Sequence, residues 1–322
     1  TYMKNVTKIL TAVVLCAAIF ASDQRINALG GNAALWPGDE ANISAFPGSI
    51  NDHALVQFSG IGWDRGEDDQ GETVYTNDHA ETATVLFDND GTTWGFNYNN
   101  GGNDWFNIMW GNGDMGLSIG MLSNEDGTSG CTTCREDSGF KLGWGQTMGF
   151  GDLGVTYSSQ SSRAEDNAPT GAVTENTDMT DLGLNWRGDV GFWVFDGLTA
   201  SYASHDTDKA GTSDDMSHTT LSATAFTHMD AGGADVLFAM GVENMSGEEG
   251  TGAGSDRGHM QMHSTVAVEA NMTDWATFRL GATFNYQLSG ENDWTGAGNG
   301  TITVDDNDTA WDAALSTCSD NT

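Results

Sequence analysis

Apolar and polar residues alternate without a slip from Trp275 to Leu288, in the stretch WATFRLGATFNYQL. Its even positions, Ala276, Phe278, Leu280, Ala282, Phe284, Tyr286 and Leu288, are all apolar or aromatic, and its odd positions are nearly all small or polar. Period two is the mark of a strand with one greasy face and one wet face. At about 3.3 Å per residue the run spans roughly 46 Å, against about 17–20 Å for a common globular strand. Tilted by about 40°, it still crosses the hydrocarbon core of a bilayer. Soluble sandwiches alternate as well, so length is the discriminating feature, and it points to a stave of a transmembrane β-barrel.

The same pattern predicts fourteen strands, at 54–61, 80–88, 92–99, 104–110, 114–122, 139–147, 152–160, 179–187, 197–205, 217–228, 234–243, 260–270, 275–288 and 309–316. Met115, Leu117, Ile119 and Met121 share one face; so do Phe140, Leu142 and Trp144, and Leu182, Leu184 and Trp186. The connections also divide by parity. Except for 100–103, every odd connection is long (62–79, 123–138, 161–178, 206–216, 244–258, 289–308), and every even one is short or intermediate. Outer-membrane barrels have short periplasmic turns and long extracellular loops. A sandwich has no reason to sort loop length in this way.

Composition narrows the classes further. No run of 18 apolar residues exists outside the N-terminus, which excludes a helical membrane protein, while a barrel escapes such a test because only alternate residues face lipid. The chain carries 46 acidic and 11 basic residues, a formal charge of −35. The six long connections hold 26 of the acids and only five basic residues, so the outer rim is expected to be strongly anionic and to attract divalent cations. Nucleic acid is excluded as a partner, because phosphate contacts need Lys and Arg.

Lys4 and Lys8 precede an apolar run from Ile9 to Phe20, 12 residues long, followed by Ala21 and Ser22. This is the layout of a secretory signal peptide, with cleavage expected near Ala21 and Met3 as the expected start. Loss of residues 1–21 moves the formal charge to −37. The expected organisation is a signal peptide over 1–21, an N-terminal segment over 22–52 and a barrel over 53–322.

Residues 25–50 contain the turn formers Gly30-Gly31, Pro37-Gly38 and Pro47-Gly48 and do not read as strands. Leu29-Gly30-Gly31, Asp39-Glu40-Ala41 and Phe46-Pro47-Gly48 resemble the start of mature barrels in the FadL-type superfamily, which includes long-chain fatty-acid transporters and PorV-like secretion barrels. Phe46 and Gly48 depart from the family's Asn-Pro-Ala, so the resemblance is partial and covers some 25 residues plus the general barrel pattern. It implies that the segment, with Arg25, Asp39, Glu40, Phe46 and Pro47, folds into the lumen as a plug. The alternative is a periplasmic tail against the barrel mouth.

Several motifs that suggest chemistry have simpler readings. Cys131 and Cys134, in CTTC, lack a thioredoxin-like βαβ setting and are expected to close a structural disulfide in the loop. His259 and His263 flank Met260 and Met262 in a copper-like motif, but residues four apart on a strand lie about 13 Å from each other. Asp88-Asn89-Asp90-Gly91 opens like a calcium loop yet lacks the later ligands, and Asn-Asp-Gly between strands is a normal hairpin turn. Asp305, Asp306 and Asp308 are the better surface-calcium candidates, on acid density alone. There is no Gly-x-Ser-x-Gly elbow and no evident Ser-His-Asp grouping, so no enzyme and no cofactor are expected.

With the apolar positions facing lipid, the opposite face carries Lys141, Asp181, Arg187, Asp235, Glu243, Glu269 and Arg279. Three of the nine basic residues beyond residue 21 thus occupy inward mid-strand positions. They either pair with lumenal acids or form a lining that sets conductance or anchors a plug.

The expectation is an all-β protein, a transmembrane antiparallel β-barrel of about fourteen strands with an N-terminal plug or periplasmic segment. It is porin-like, sits in a bacterial outer membrane in contact with its lipid, and passes small solutes, hydrophobic ones included. The alternative is a structural or interaction barrel, a secretion partner, adhesin or surface coat, without transport. The last strand is weak and lacks a closing aromatic; either fourteen strands close the ring or further strands follow.

Overall fold

The structure, a computed structural model, describes residues 22–59, 64–67, 73–76, 82–99, 105–125, 133–166, 173–210, 215–249, 256–273, 276–292 and 311–313. The signal-peptide reading, Cys131 and the 305–308 acids lie outside these residues. Cys134 lies within them only as a strand position, opposite Glu165.

The strands are β1 (Leu55–Ser59), β2 (Asp64–Glu67), β3 (Thr73–Thr76), β4 (Thr82–Asn89), β5 (Thr92–Asn99), β6 (Trp105–Asn112), β7 (Met115–Glu125) and β8 (Thr133–Met148). They continue with β9 (Gly151–Asp166), β10 (Val173–Phe192), β11 (Phe195–Lys209), β12 (Met216–Asp230), β13 (Ala234–Glu249), β14 (Asp256–Thr273), β15 (Ala276–Asn292) and β16 (Trp311–Ala313). Fourteen of them form one antiparallel sheet in simple up-and-down order, β1 followed by β4 to β16. Each of the fourteen expected strands has a counterpart in it. The hairpin of β2 and β3, inside the first long connection, is an addition. Among the described residues no pairing joins β1 to β16, so the sheet is not closed.

Strand length departs from expectation. From β8 to β15 the strands run 15 to 20 residues, well past the apolar alternation. Most of the residues read as long loops at 133–138, 161–166 and 173–178 are paired strand. The reason is that alternation reports a greasy face, and past the apolar zone both faces are polar. The backbone ladder continues there without a hydrophobic signature.

At the other end the turns are tight. Asp90 and Gly91 link β4 to β5 with φ of 54° and 76°, a two-residue Asp-Gly turn that accounts for the calcium-like motif. Gly113-Asp114, Gly149-Phe150 and Trp193-Val194 connect the next three hairpins at this end.

One face of the sheet is apolar and exposed: Ile119 and Met121 are each 53 % accessible, and Phe140, Leu142, Leu280 and Leu288 are comparable. The opposite face carries the N-terminal segment, made of α1 (Ser22–Ala28) and three 3-10 turns at Ala33–Leu35, Glu40–Ser44 and Pro47–Asp52. Asn32 and Asp39 cap the first two turns by accepting from the Ala34 and Ala41 amides. Ile26, Leu29, Leu35 and Trp36 are buried against Phe226, Leu237, Ala239 and Ala267 of β12–β14. Ile50 is buried with Leu86 and Met109 of β4 and β6. Each fully buried large aliphatic here contributes about 1.5–3 kcal/mol.

Candidate functional site

Four glycines make the seat for the second half of the segment. Gly111, Gly116, Gly145 and Gly154 stand opposite one another on β6 to β9. A Cβ on Gly145 would come within 2.5 Å of the Gly48 nitrogen, and one on Gly116 or Gly154 would overlap the carbonyl of Pro47 or Ala45. Side chains are absent along this row because another backbone lies on it. Asn185 continues the row on β10 and donates to the Ala45 carbonyl at 3.3 Å.

Polar anchors hold the segment elsewhere. Arg187 donates to Asp152 at 2.7 Å and to the Asn42 side chain at 3.2 Å, with its guanidinium 4.6 Å from the Phe46 ring centre. Asn42 is almost fully buried and spends its amide on the Trp36 and Asp39 carbonyls. Arg25 bridges Asp39 and Glu269, and Glu269 also takes Arg279 at 2.6 Å. Burial works against the Arg25 charge, but its bonds to Glu269 and Asp39 outweigh that and hold the guanidinium above its ordinary range. His228 reaches the Leu35 carbonyl through Nε2 at 2.8 Å and Asp235 through Nδ1 at 3.0 Å. Both partners are acceptors, so only the doubly protonated ring donates to both.

A second row crosses the polar face where the segment leaves it open. Gln57, Thr84, Asn97, Asn107, Gly120, Lys141, Ser158, Asp181, His205 and His218 stand opposite one another from β1 through β4–β12. Asn107 donates to Asn97 at 2.9 Å and Asn97 to Thr84 at 2.8 Å. Asp181 accepts from Ser158 at 2.7 Å and pairs with His205 at 2.5 Å. Between this row and the segment lies a cavity of about 540 Å³, lined by Thr84, Asn97, Asn107, Lys141, Asp181 and, from the segment, Glu40, Ile43 and Ser44 among others. That volume falls within the range of about 300–1,000 Å³ usual for small-molecule sites.

Strand parity puts all seven charged residues singled out in the sequence on the polar face, but in separate groups. Lys141 and Asp181 line the cavity. Arg187, Glu269 and Arg279 belong to the anchors, and Asp235 holds His228. Glu243 accepts from Gln261 at 2.7 Å. Of the N-terminal residues, Arg25, Asp39, Phe46 and Pro47 dock the segment and Glu40 faces the cavity. Asn42 was not foreseen, nor were the glycine row and the inward Phe226, Leu237 and Ala239.

His263 bonds Thr224 at 2.8 Å, two strands away across Gly241, whereas His259 faces Glu243 at 3.6 Å. Among the described residues no group of three or more His, Cys, Asp or Glu is placed to hold a metal. Asp181, His205 and Thr207 form an acid–base–hydroxyl chain, the last link 2.9 Å. Thr207 sits between two paired strands, opposite Met179 and Met216, where the ladder occupies the amides that an oxyanion site would need. No protein-family model matches the chain, and no curated protein matches it either.

Proposed function

We propose that the chain works as an outer-membrane β-barrel channel for small solutes, with residues 22–52 as a plug seated in its lumen. The supporting observation is the division of the two faces. Phe58, Phe96, Leu117, Ile119, Leu142, Leu221, Val242, Val266 and Leu280 present an exposed apolar surface on strand after strand. Such an extent of apolar surface needs lipid or a partner. The other face offers amides, hydroxyls and charges, as a water-filled lumen does. Its cavity lining favours polar solutes over hydrophobic ones. The mechanism is selection by lining rather than catalysis.

Ion conductance of the purified, folded protein in a planar bilayer tests this reading. Discrete channel openings are expected. A protein that inserts but never conducts, even after the segment's Arg25 and Arg187 anchors are removed, would favour the structural or interaction barrel. The seated segment is the observation that keeps that second reading in play.

A further inference from the structure

Lys141 is an accessible lysine on the polar face of a chain of strongly negative charge, yet among the described residues no carboxylate lies within ion-pair distance of it. Its contact is with an aromatic face, Nζ lying 3.9 Å from the Trp105 ring centre. Asp181, two strands away, is already engaged by Ser158 and His205. The space over Gly120, next to Lys141 in the row, is taken by the Asn107 side chain, which a Cβ there would overlap. Across the cavity stands Glu40, carried by the N-terminal segment and likewise without an ion-pair partner among the described residues. One cation and two carboxylates thus line the same cavity: Asp181 attracts Lys141 from two strands away but already has Ser158 and His205, whereas Glu40 stands on the opposite element without an ion pair among the described residues. Neutral hydrogen-bonding groups line it as well, among them the Asn97 and Asn107 amides, each with an N–H left over from the chain that links them to Thr84.

We propose that this cavity binds a small zwitterion of the amino-acid type, its carboxylate on Lys141 and its ammonium on Glu40. Lys141 supplies ammonium donors to the carboxylate, and Glu40 accepts from the ligand's amine. The neutral amides satisfy polar groups on the remainder of the solute without adding net charge. A solute carrying only one of the two charges leaves the other protein group unmatched, which is how the site discriminates. The proposal deepens the channel reading and rests on it for the route of entry, but binding itself is measurable without transport.

Isothermal titration of the full folded chain in detergent, with three probes of similar size, tests it. L-glutamine carries both charges, N-acetyl-L-glutamine only the carboxylate, and L-glutaminamide only the ammonium. L-glutamine is expected to bind at least about tenfold more tightly than either. Lys141→Met and Glu40→Gln are each expected to weaken it by about tenfold or more, with Lys141→Arg retaining most of the affinity. Equal binding of the three probes, indifference to both neutralising substitutions, or no binding by folded protein would overturn the proposal. Conductance without glutamine binding sinks the site and leaves the channel standing. Binding without conductance, even with the Arg25 and Arg187 anchors removed, supports the site and sinks the channel.

Discussion

Gly116 lies directly beneath Pro47: a Cβ built on the glycine would overlap the proline carbonyl. The contact joins the start of β7 to a turn some seventy residues earlier in the chain, and Gly145 and Gly154 repeat it against the backbone of Gly48 and Ala45. Gly116→Ala is therefore expected to unseat residues 45–51. Limited proteolysis of the detergent-folded protein reads this as new cleavage near Phe46. Gly149→Ala, at a turn with open space around it, serves as the control and should leave the digest unchanged.

Ile119→Arg and Leu280→Arg are expected to lower the yield of folded protein in lipid, each costing about 2–4 kcal/mol at the bilayer midplane. Gln287→Arg, on the opposite face, should fold as the parent does. Thr283 is unsuitable for comparison, because its hydroxyl donates to the Gly30 carbonyl and an Arg there would strike the segment. Equal yields for all three variants would refute the assignment of faces.

Arg187→Met removes a guanidinium that serves Asp152, Asn42 and the Phe46 ring together. It leaves the buried Asn42 amide oxygen without its donor and the partly exposed Asp152 carboxylate with Thr147, a loss of about 1–3 kcal/mol. A lower urea midpoint is expected, and Arg187→Lys should recover little of it, since an ammonium cannot span these partners.

His228→Phe keeps a ring against Trp36, now packed edge-on at 4.8 Å, but strips the Leu35 carbonyl of its donor. An unsatisfied buried carbonyl costs about 1–3 kcal/mol. Amide exchange around residues 35–42 should speed up, with the strands unaffected. Unchanged exchange would mean that the histidine holds nothing.

Orientation is open to labelling. Cysteine at Glu248, on the far extension of β13, should react with an impermeant reagent on intact cells, and cysteine at Ala231 in the short turn should not. Both positions are exposed, so access to the reagent depends on the side of the membrane alone.

How much of this was legible in the sequence follows from what alternation measures. It located every strand of the large sheet, because one face of each is greasy. It understated strand length, because β8 to β10 continue where neither face is. Alternation is interrupted over Val236–Met240, a continuous apolar run within the expected strand 234–243, in which Leu237 and Ala239 join Phe226 on the polar face against Trp36. Such a run signals burial on both faces, and read that way it would have located the seat of the N-terminal segment. The glycine row was beyond reach. Gly111, Gly116, Gly145 and Gly154 become neighbours only once four strands are in register. Lys141 and Asp181 could be given a face but not a cavity, since Glu40 closes it from the far end of the chain.

The length of β10 has a bearing on entry. Its 20 residues extend roughly 66 Å, about twice the thickness of a hydrocarbon core. In a bilayer the upper third of the wall would stand clear of the lipid as a stiff collar, bearing Glu136, Asp178, Asp206, Asp208 and Glu248. At physiological salt their field fades within about 8 Å, so little of it reaches Lys141 deep in the wall. In the proposed channel, sorting would then occur twice: the collar would thin out anions by repulsion before they enter, and the chamber below would compare only what a negative mouth admits.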